Sequence, residues 1–232
     1  MYFCQTKVLN DDTHRTLHIN ALQTRCSLVW DDNGNCAIVD PSYKDAEQKE
    51  IVAFISANRL TPVCVMLTHA HFDHIYGLAH FVRTYGVPVY MDSKETYSIE
   101  KTNPYVCSAF GLEMPEIPET TSFRHVADGD IIEVGDLRFE VLQTPGHSAG
   151  GVCYLEREGK LLFCGDTLFA GAIGRSDHPG GDYDQLMKSI WEKLMCLDGD
   201  ISAVPGHGPV TDIATERMTN PFLLPFNEPY EE

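Results

Sequence analysis

The sequence has no Cys-x-x-Cys pair, and its eight cysteines (4, 26, 36, 64, 107, 153, 164 and 196) are scattered. That argues against a thiolate metal site or a disulfide framework. Several, Cys64 and Cys164 among them, stand inside apolar runs, so they read as buried small hydrophobes in a reducing cytosol. Basic residues are scarce too: Lys plus Arg number 17 against 34 Asp plus Glu, a formal charge of -17. Such a balance repels phosphate backbones and anionic lipid, which argues against a nucleic-acid partner. Long hydrophobic runs are missing. The purest, residues 63–67, is far too short to cross a bilayer, and the opening MYFCQTKVLN has no basic start followed by an apolar stretch. These absences leave the expectation of a cytoplasmic protein without signal peptide or membrane span, acting on a small molecule. They leave its oligomeric state open.

What is present is globular. With 43% hydrophobic and 22% charged residues over 232 positions, and no solenoid repeat, one domain with a well-buried core is expected across residues 1–232. Two apolar runs, residues 26–30 and 36–39, flank Asp32-Asn33-Gly34-Asn35, a hairpin signal. Residues 45–59 carry Ile51, Phe54 and Ile55 at helical spacing, and the apolar run 63–67 follows as a buried strand. Residues 73–85 place Ile75, Leu78, Phe81, Val82 and Tyr85 on one helical face ended by Gly86, before a strand over 87–91. Residues 92–129, broken by Pro104, Pro115 and Pro118, read as loop. Strands are expected again at 131–134, 137–142, 151–155, 160–164 and 201–204, with a helix over 183–197 and a surface tail over 221–232. Hairpins interleaved with helices suggest an α/β fold of two packed sheets with helices outside.

The chemistry concentrates after the buried strand, in Thr68-His69-Ala70-His71-Phe72-Asp73-His74. On an extended segment His69 and His71 project to one side, while Asp73 and His74 diverge at the helix start, so one peptide can serve two adjacent metal ions. With 10 His in the chain, a chance His-x-His-x-Asp-His is expected roughly once in a thousand such sequences, so a solvated polar turn is the weaker reading. Three further groups follow apolar strands, each preceded by glycine: His147 after Gly146, Asp166 after Gly165, and His207 after Gly206. Glycine permits the sharp turns by which strand ends collect functional groups. Five imidazoles and two carboxylates without a thiolate suit zinc, and the same set accepts iron or manganese.

With these motifs the sequence resembles the metallo-β-lactamase superfamily over about residues 24–226. The resemblance implies an αββα sandwich of two mixed β-sheets flanked by helices. It places His69, His71 and His147 on a first divalent metal ion, Asp73, His74 and His207 on a second, and Asp166 between them. THAHFDH, GDTLF, GRSDHPGGD (174–182) and ERMTNPF (216–222) are similar to the glyoxalase II group. That group typically adds a helical C-terminal domain and reads GHEY at its last His motif, where this chain has Gly206-His207-Gly208-Pro209. The chain is therefore most similar to short, single-domain glyoxalase II-like hydrolases of bacteria.

The resemblance implies thioester hydrolysis by a hydroxide held between the two ions, with Asp73 orienting it as a catalytic residue as well as a ligand. Arg175 could anchor an anionic substrate tail, or pair with Asp177 or Asp182. His178 could face the cleft, and Tyr97, Tyr105 and Phe110 could wall it. His14, His18, His80 and His125 read as structural or surface residues. The alternatives are a persulfide dioxygenase-like iron oxidoreductase, to which the sequence is also similar, and a lactone hydrolase on the same fold.

Overall fold

The computed structural model describes residues 3–4, 14–18, 23–43 and 46–224; of 3–4, 14–18 and 46–47 only the backbone is described. A first sheet runs in the order β1 (Phe3–Cys4), β2 (His14–His18), β3 (Arg25–Trp30), β4 (Asn35–Val39), β5 (Thr61–Met66), β6 (Val89–Met91) and β7 (Phe123–His125). Pairing is antiparallel from β1 to β4 and parallel from β4 to β7. The change of sense follows from connection length. The Asn33-Gly34 turn returns β4 directly onto β3, with Gly34 at φ 84° donating its N–H to Asp31 O. A parallel neighbour instead needs a crossover. Helix α1 (Ala46–Ala57) supplies the one into β5, and α2 (Leu78–Tyr85) the one into β6.

Apart from β12 (Leu168–Phe169) and β13 (Ala172–Ile173), which form a separate short hairpin, a second sheet has the order β15 (Thr211–Asp212), β14 (Ser202–Pro205), β11 (Leu161–Gly165), β10 (Val152–Glu156), β9 (Leu137–Gln143) and β8 (Ile131–Val134). Its β11–β14 pair is parallel and the others antiparallel. Strand alternation sorts the side chains of both sheets into layers. Val29, Ala37, Val39, Cys64 and Met66 meet Phe139, Val141, Tyr154, Phe163 and Val204 between the sheets. The alternate residues Leu28, Cys36, Ile38 and Val65 face away, onto Ile51 and Ile55 of α1 and Leu78, Phe81 and Val82 of α2. The outer face of the second sheet, with Cys153, Leu155 and Leu162, packs on Leu186 of α4 (Tyr183–Ser189) and Ile213 of α5 (Ile213–Thr219). Both faces of each sheet are thus covered, which is why the central strands read as near-continuous apolar runs. The architecture is the αββα sandwich.

Three stretches differ from the expectation. Residues 92–129 are not simply loop. A turn at Ser93–Glu95, capped by Asp92 Oδ1 on Lys94 N at 2.8 Å, a wide turn at Ser98–Thr102 and α3 (Asn103–Phe110) form a helical run, and β7 adds a strand. Pro104 sits in the first turn of α3, where its missing N–H costs nothing, so the apparent breaker is a helix start. The helix expected over 73–85 is split into a turn at Phe72–His74 and α2, because Gly77 donates its N–H to Pro41 O (2.7 Å) rather than along the helix. In the tail expected on the surface over 221–232, Pro221, Phe222 and Leu224 are exposed, but Leu223 is buried in the cluster on the outer face of the second sheet; residues 225–232 lie outside those described.

Candidate metal centre

Parallel strands deliver their C-terminal ends to one edge of the sandwich, and the predicted site residues stand there. β5 leads into His69, His71, Asp73 and His74; β9 leads through Pro145 and Gly146 to His147; β11 ends at Gly165 before Asp166; β14 ends at Pro205 before Gly206 and His207. The ligand atoms of His69, His71 and His147 lie within 4.8 Å of one another, as do those of His69, His74 and Asp166 and those of Asp73, His74 and His207. Seven side chains from four stretches therefore converge. Asp166 is common ground: its Oδ2 is 3.6 Å from His147 Nε2 and 3.4 Å from His207 Nε2, and its Oδ1 is 3.5 Å from His74 Nε2.

Glycine geometry makes room for this approach. At Gly206 a Cβ would stand 2.2 Å from Asp166 Oδ1 and 2.7 Å from His74 Cε1, so any side chain there would fill the centre. At Gly146 (φ 133°) it would stand 2.2 Å from Leu186 N, so the His147 loop lies flat on the start of α4.

The second ring nitrogen of several imidazoles is already committed. His74 Nδ1 donates to Asp40 Oδ2 at 3.0 Å, and His147 Nδ1 donates to Arg175 O at 2.7 Å, which aims both Nε2 atoms into the centre. His69 Nδ1 lies 3.2 Å from Thr68 Oγ1, whose hydroxyl donates to Asp40 Oδ2 at 2.6 Å. Asp40 thereby orients one imidazole directly and a second through Thr68. Thr24 Oγ1 donates to Asp73 Oδ2 at 2.8 Å. Sequence reasoning passed over Asp40, Thr24 and Thr68. Asp40 carried a usable signal, since it follows the apolar strand β4 just as Asp166 follows β11.

Charge is divided unevenly. Burial pushes His69 and His71 well below the ordinary imidazole range, and neighbouring imidazoles push the same way. Burial also lowers His147, against the pull of Asp166. These three rings are held toward the neutral form, with lone pairs available. Burial would raise Asp73, yet His74 and His207 hold it at about 2, and the same neighbours hold Asp166 well below the carboxylate range. Against burial, Asp73 and Asp166 lift His74 well above its ordinary value, and Asp166 and Asp73 lift His207 to about 10. The paired carboxylates demand positive charge in their midst.

Cations fit that demand. His69 Nε2, His74 Nε2 and Asp166 Oδ1 are buried without a hydrogen-bond partner among the described residues, each a cost of about 1–3 kcal/mol unless a ligand satisfies it. His71 Nδ1 and His147 Nε2 face one another at 2.9 Å, near the spacing of about 3.3 Å that two nitrogens keep around one tetrahedral ion.

Of the weaker candidates, His178 is brought to the site. Its ring centroid lies 4.9 Å from that of His71 and 5.0 Å from that of His147, and its Nε2 is buried with no partner among the described residues. Arg175 reaches the site only through its carbonyl. Its side chain is 78% exposed and paired with Asp177 (Nε to Oδ1, 3.0 Å), the ionic alternative the sequence offered. Tyr97 packs beside Gly180, whereas Tyr105 and Phe110 are largely solvent-exposed. His125 is exposed and His80 half-buried; the side chains of His14 and His18 lie outside those described.

A two-sheet sandwich gathering imidazoles and carboxylates at its strand ends defines a class of metal-binding proteins built for hydrolysis. The chain belongs to the metallo-beta-lactamase superfamily, whose family model matches residues 19–207. Among curated proteins it is 36% identical over 206 residues to hydroxyacylglutathione hydrolase GloC of Haemophilus influenzae, covering 88% of this chain and 95% of that one. Among solved structures it is similar to the BLEG-1 B3 metallo-beta-lactamase, with TM-score 0.82, 33% identity, and coverage of 91% of this chain and 99% of that one. It is also similar to TTHA1623 in a di-iron-bound form, with TM-score 0.79, 34% identity, and coverage of 90% and 99%.

Proposed function

We propose that the protein is a metal-dependent hydrolase of thioesters, of the hydroxyacylglutathione hydrolase kind, that holds two divalent cations, zinc foremost. His69, His71 and His147 hold one ion, Asp73, His74 and His207 the other, and Asp166 serves both. The observation that carries this reading is the meeting of the two ligand groups at Asp166. The likeness to a relative named for thioester hydrolysis supports the substrate class.

When bound, a pair of divalent cations polarises the substrate carbonyl and acidifies water toward neutral pH. The side chains then have limited tasks. Asp73, with Oδ2 fixed by Thr24, orients the attacking water and accepts its hydrogen bond. His178 Nδ1 donates to Pro179 O, so its Nε2 presents a lone pair at the edge of the first ligand group, able to accept a hydrogen bond from a hydroxyl on the acyl part of a substrate. A thiol leaving group, with a pKa of about 8.5, departs as thiolate without a dedicated acid, whereas an amide nitrogen requires one. A thioester therefore asks least of these residues.

The buried thiols suit a reducing, cytoplasmic setting. No helix among the described residues is long and apolar enough to cross a membrane.

A second reading is an iron-dependent oxidoreductase of the persulfide dioxygenase kind; the di-iron-bound neighbour supports iron as a metal for such a site, not the activity. Metal analysis of untagged protein, followed by thioesters, lactones and glutathione persulfide with oxygen monitoring, decides between them. Thiol release without oxygen uptake is the expected result. Oxygen consumption that depends on ferrous iron would establish the second reading instead.

A further inference from the structure

The ligand loops are fastened to each other by a carboxylate that has no place in the proposed reaction. Glu95 is fully buried, at 0% exposure, in the turn between β6 and the wide turn at Ser98–Thr102. Its Oε2 accepts the N–H of Ala70 at 2.6 Å, and its Oε1 accepts the N–H of Gly150 at 2.8 Å. Ala70 stands between His69 and His71, after a strand of the first sheet. Gly150 lies three residues beyond His147, in a loop leaving the second sheet. One side chain thus ties together the backbones that present all three imidazoles of the first ligand group.

The surroundings reinforce the tie. Asn103 Nδ2 donates to Ala70 O at 2.8 Å, so the residue between the two imidazoles is held at its N–H by Glu95 and at its carbonyl by Asn103. Asn103 is 1% exposed. At Gly150 a Cβ would stand 2.9 Å from Glu95 N and 3.2 Å from Asp92 Cβ, so this loop lies against the capped turn itself. Gln143 Nε2, at the end of β9, donates to Asp92 Oδ2. Thr102 Oγ1 donates to Pro179 O at 2.8 Å, which draws the His178 loop onto the same segment.

We infer that Glu95 is the positioning residue of the first cation site: by bridging Ala70 and Gly150 it sets the spacing of His69, His71 and His147 and so the affinity of that site alone. The physical reason is that a buried carboxylate must be fully hydrogen-bonded, and here both its oxygens are satisfied by backbone from the two halves of one ligand set. Any slip between the halves would leave a buried oxygen or a buried N–H unpaired. In the second ligand group Asp73 is oriented instead by Thr24 and His74 by Asp40. The inference rests on the metal reading above.

The test uses the full chain stripped of metal and titrated with Zn²⁺ against a chromophoric chelator, comparing wild type with E95Q and E95D. Gln keeps the size of Glu95 but presents an amide N–H₂ to one of the two backbone N–H groups; Asp keeps the charge but is one methylene short. In wild type two binding steps are expected. In E95Q and E95D one step should weaken about 10- to 100-fold, the usual effect of removing an outer partner of a metal site, while the other stays within about threefold. Amide exchange should accelerate at Ala70 and Gly150 in both metal-free variants, with thermal midpoints close enough to wild type to show an intact fold. Two unchanged steps in E95Q, or equal weakening of both, would overturn the positioning role. Failure of wild type to take up two cations would sink the metal reading itself, a result separable from any difference between variants.

Discussion

His69, His71 and His147 are each no more than 8% exposed, held toward the neutral form, and carried on loops from opposite sheets that Glu95 joins. Asp73, His74 and His207 also come from opposite sheets, and Asp73 and His74 are as deeply buried, but their electrostatics differ. They bring a carboxylate, they share the negative charge of Asp166, their two imidazoles are drawn toward the charged form, and His207 remains 27% exposed. On the proposed reading the first group would hold a cation by preset geometry among lone pairs held toward the neutral form. The second would hold one by charge, since a dication there would replace the positive charge that two carboxylates otherwise take from protons. The lesson is that similar residue types at one strand-end edge make two groups of unlike electrostatics, with Asp166 as the residue that both approach.

Removing that shared residue breaks the comparison most completely. Asp166→Ala should abolish double occupancy, measured by metal analysis, and cut turnover by about three orders of magnitude or more while circular dichroism stays native-like. Full activity in this variant would refute the bridging assignment. Removing one group at a time sharpens it. His147→Ala should leave a single cation in the charged group, and His207→Ala a single cation in the neutral group, each with roughly a hundredfold loss of turnover or more. The two variants should be distinguishable by the absorption spectrum of bound Co²⁺; identical spectra would mean the groups are not separate sites.

A smaller effect is expected from Asp40→Asn, because Asp40 orients His74 directly and His69 through Thr68. Both binding steps should weaken, by about 10- to 100-fold, where E95Q weakens one. The smallest effect belongs to His178→Ala. With metal content unchanged, kcat/KM should fall by about tenfold, the worth of one hydrogen bond of about 1.4 kcal/mol. Loss of metal in that variant would make His178 a ligand rather than a substrate contact.

Much of this centre was legible in the sequence, and the pattern of what was not is physical. His69, His71, Asp73 and His74 stand out because a strand end packs them into six positions. His147, Asp166 and His207 stand out because each follows glycine at the end of an apolar run. Those signals concern side chains meeting side chains at predictable places. Glu95 and Asn103 gave no such signal, because their partners are backbone groups of Ala70 and Gly150, which every residue carries and no side-chain pattern marks. Asp40 shows an intermediate case, visible only once its strand is known to end beside β5.

The fold divides in the same way. The sandwich core follows from strand alternation and glycine-bearing turns, Asn33-Gly34 foremost, so β3, β4, β5 and the strands from β8 to β11 lie close to where periodicity puts them. The run from Ser93 to Phe110 escaped because Pro104 reads as a breaker and its aromatic residues keep no single buried face. Tyr97, Tyr105 and Phe110 are all more than 40% exposed, and the segment is ordered instead by polar contacts to three loops. Hydrophobic periodicity is silent about elements fixed that way.

The most direct test of the central claim is anomalous diffraction from crystals of the cation-loaded protein, recorded on both sides of the metal absorption edge. Two peaks are predicted, one enclosed by His69, His71 and His147 and one by Asp73, His74 and His207, with Asp166 in contact with both. A single peak bound by residues outside this set, or two peaks of which neither touches Asp166, would contradict it.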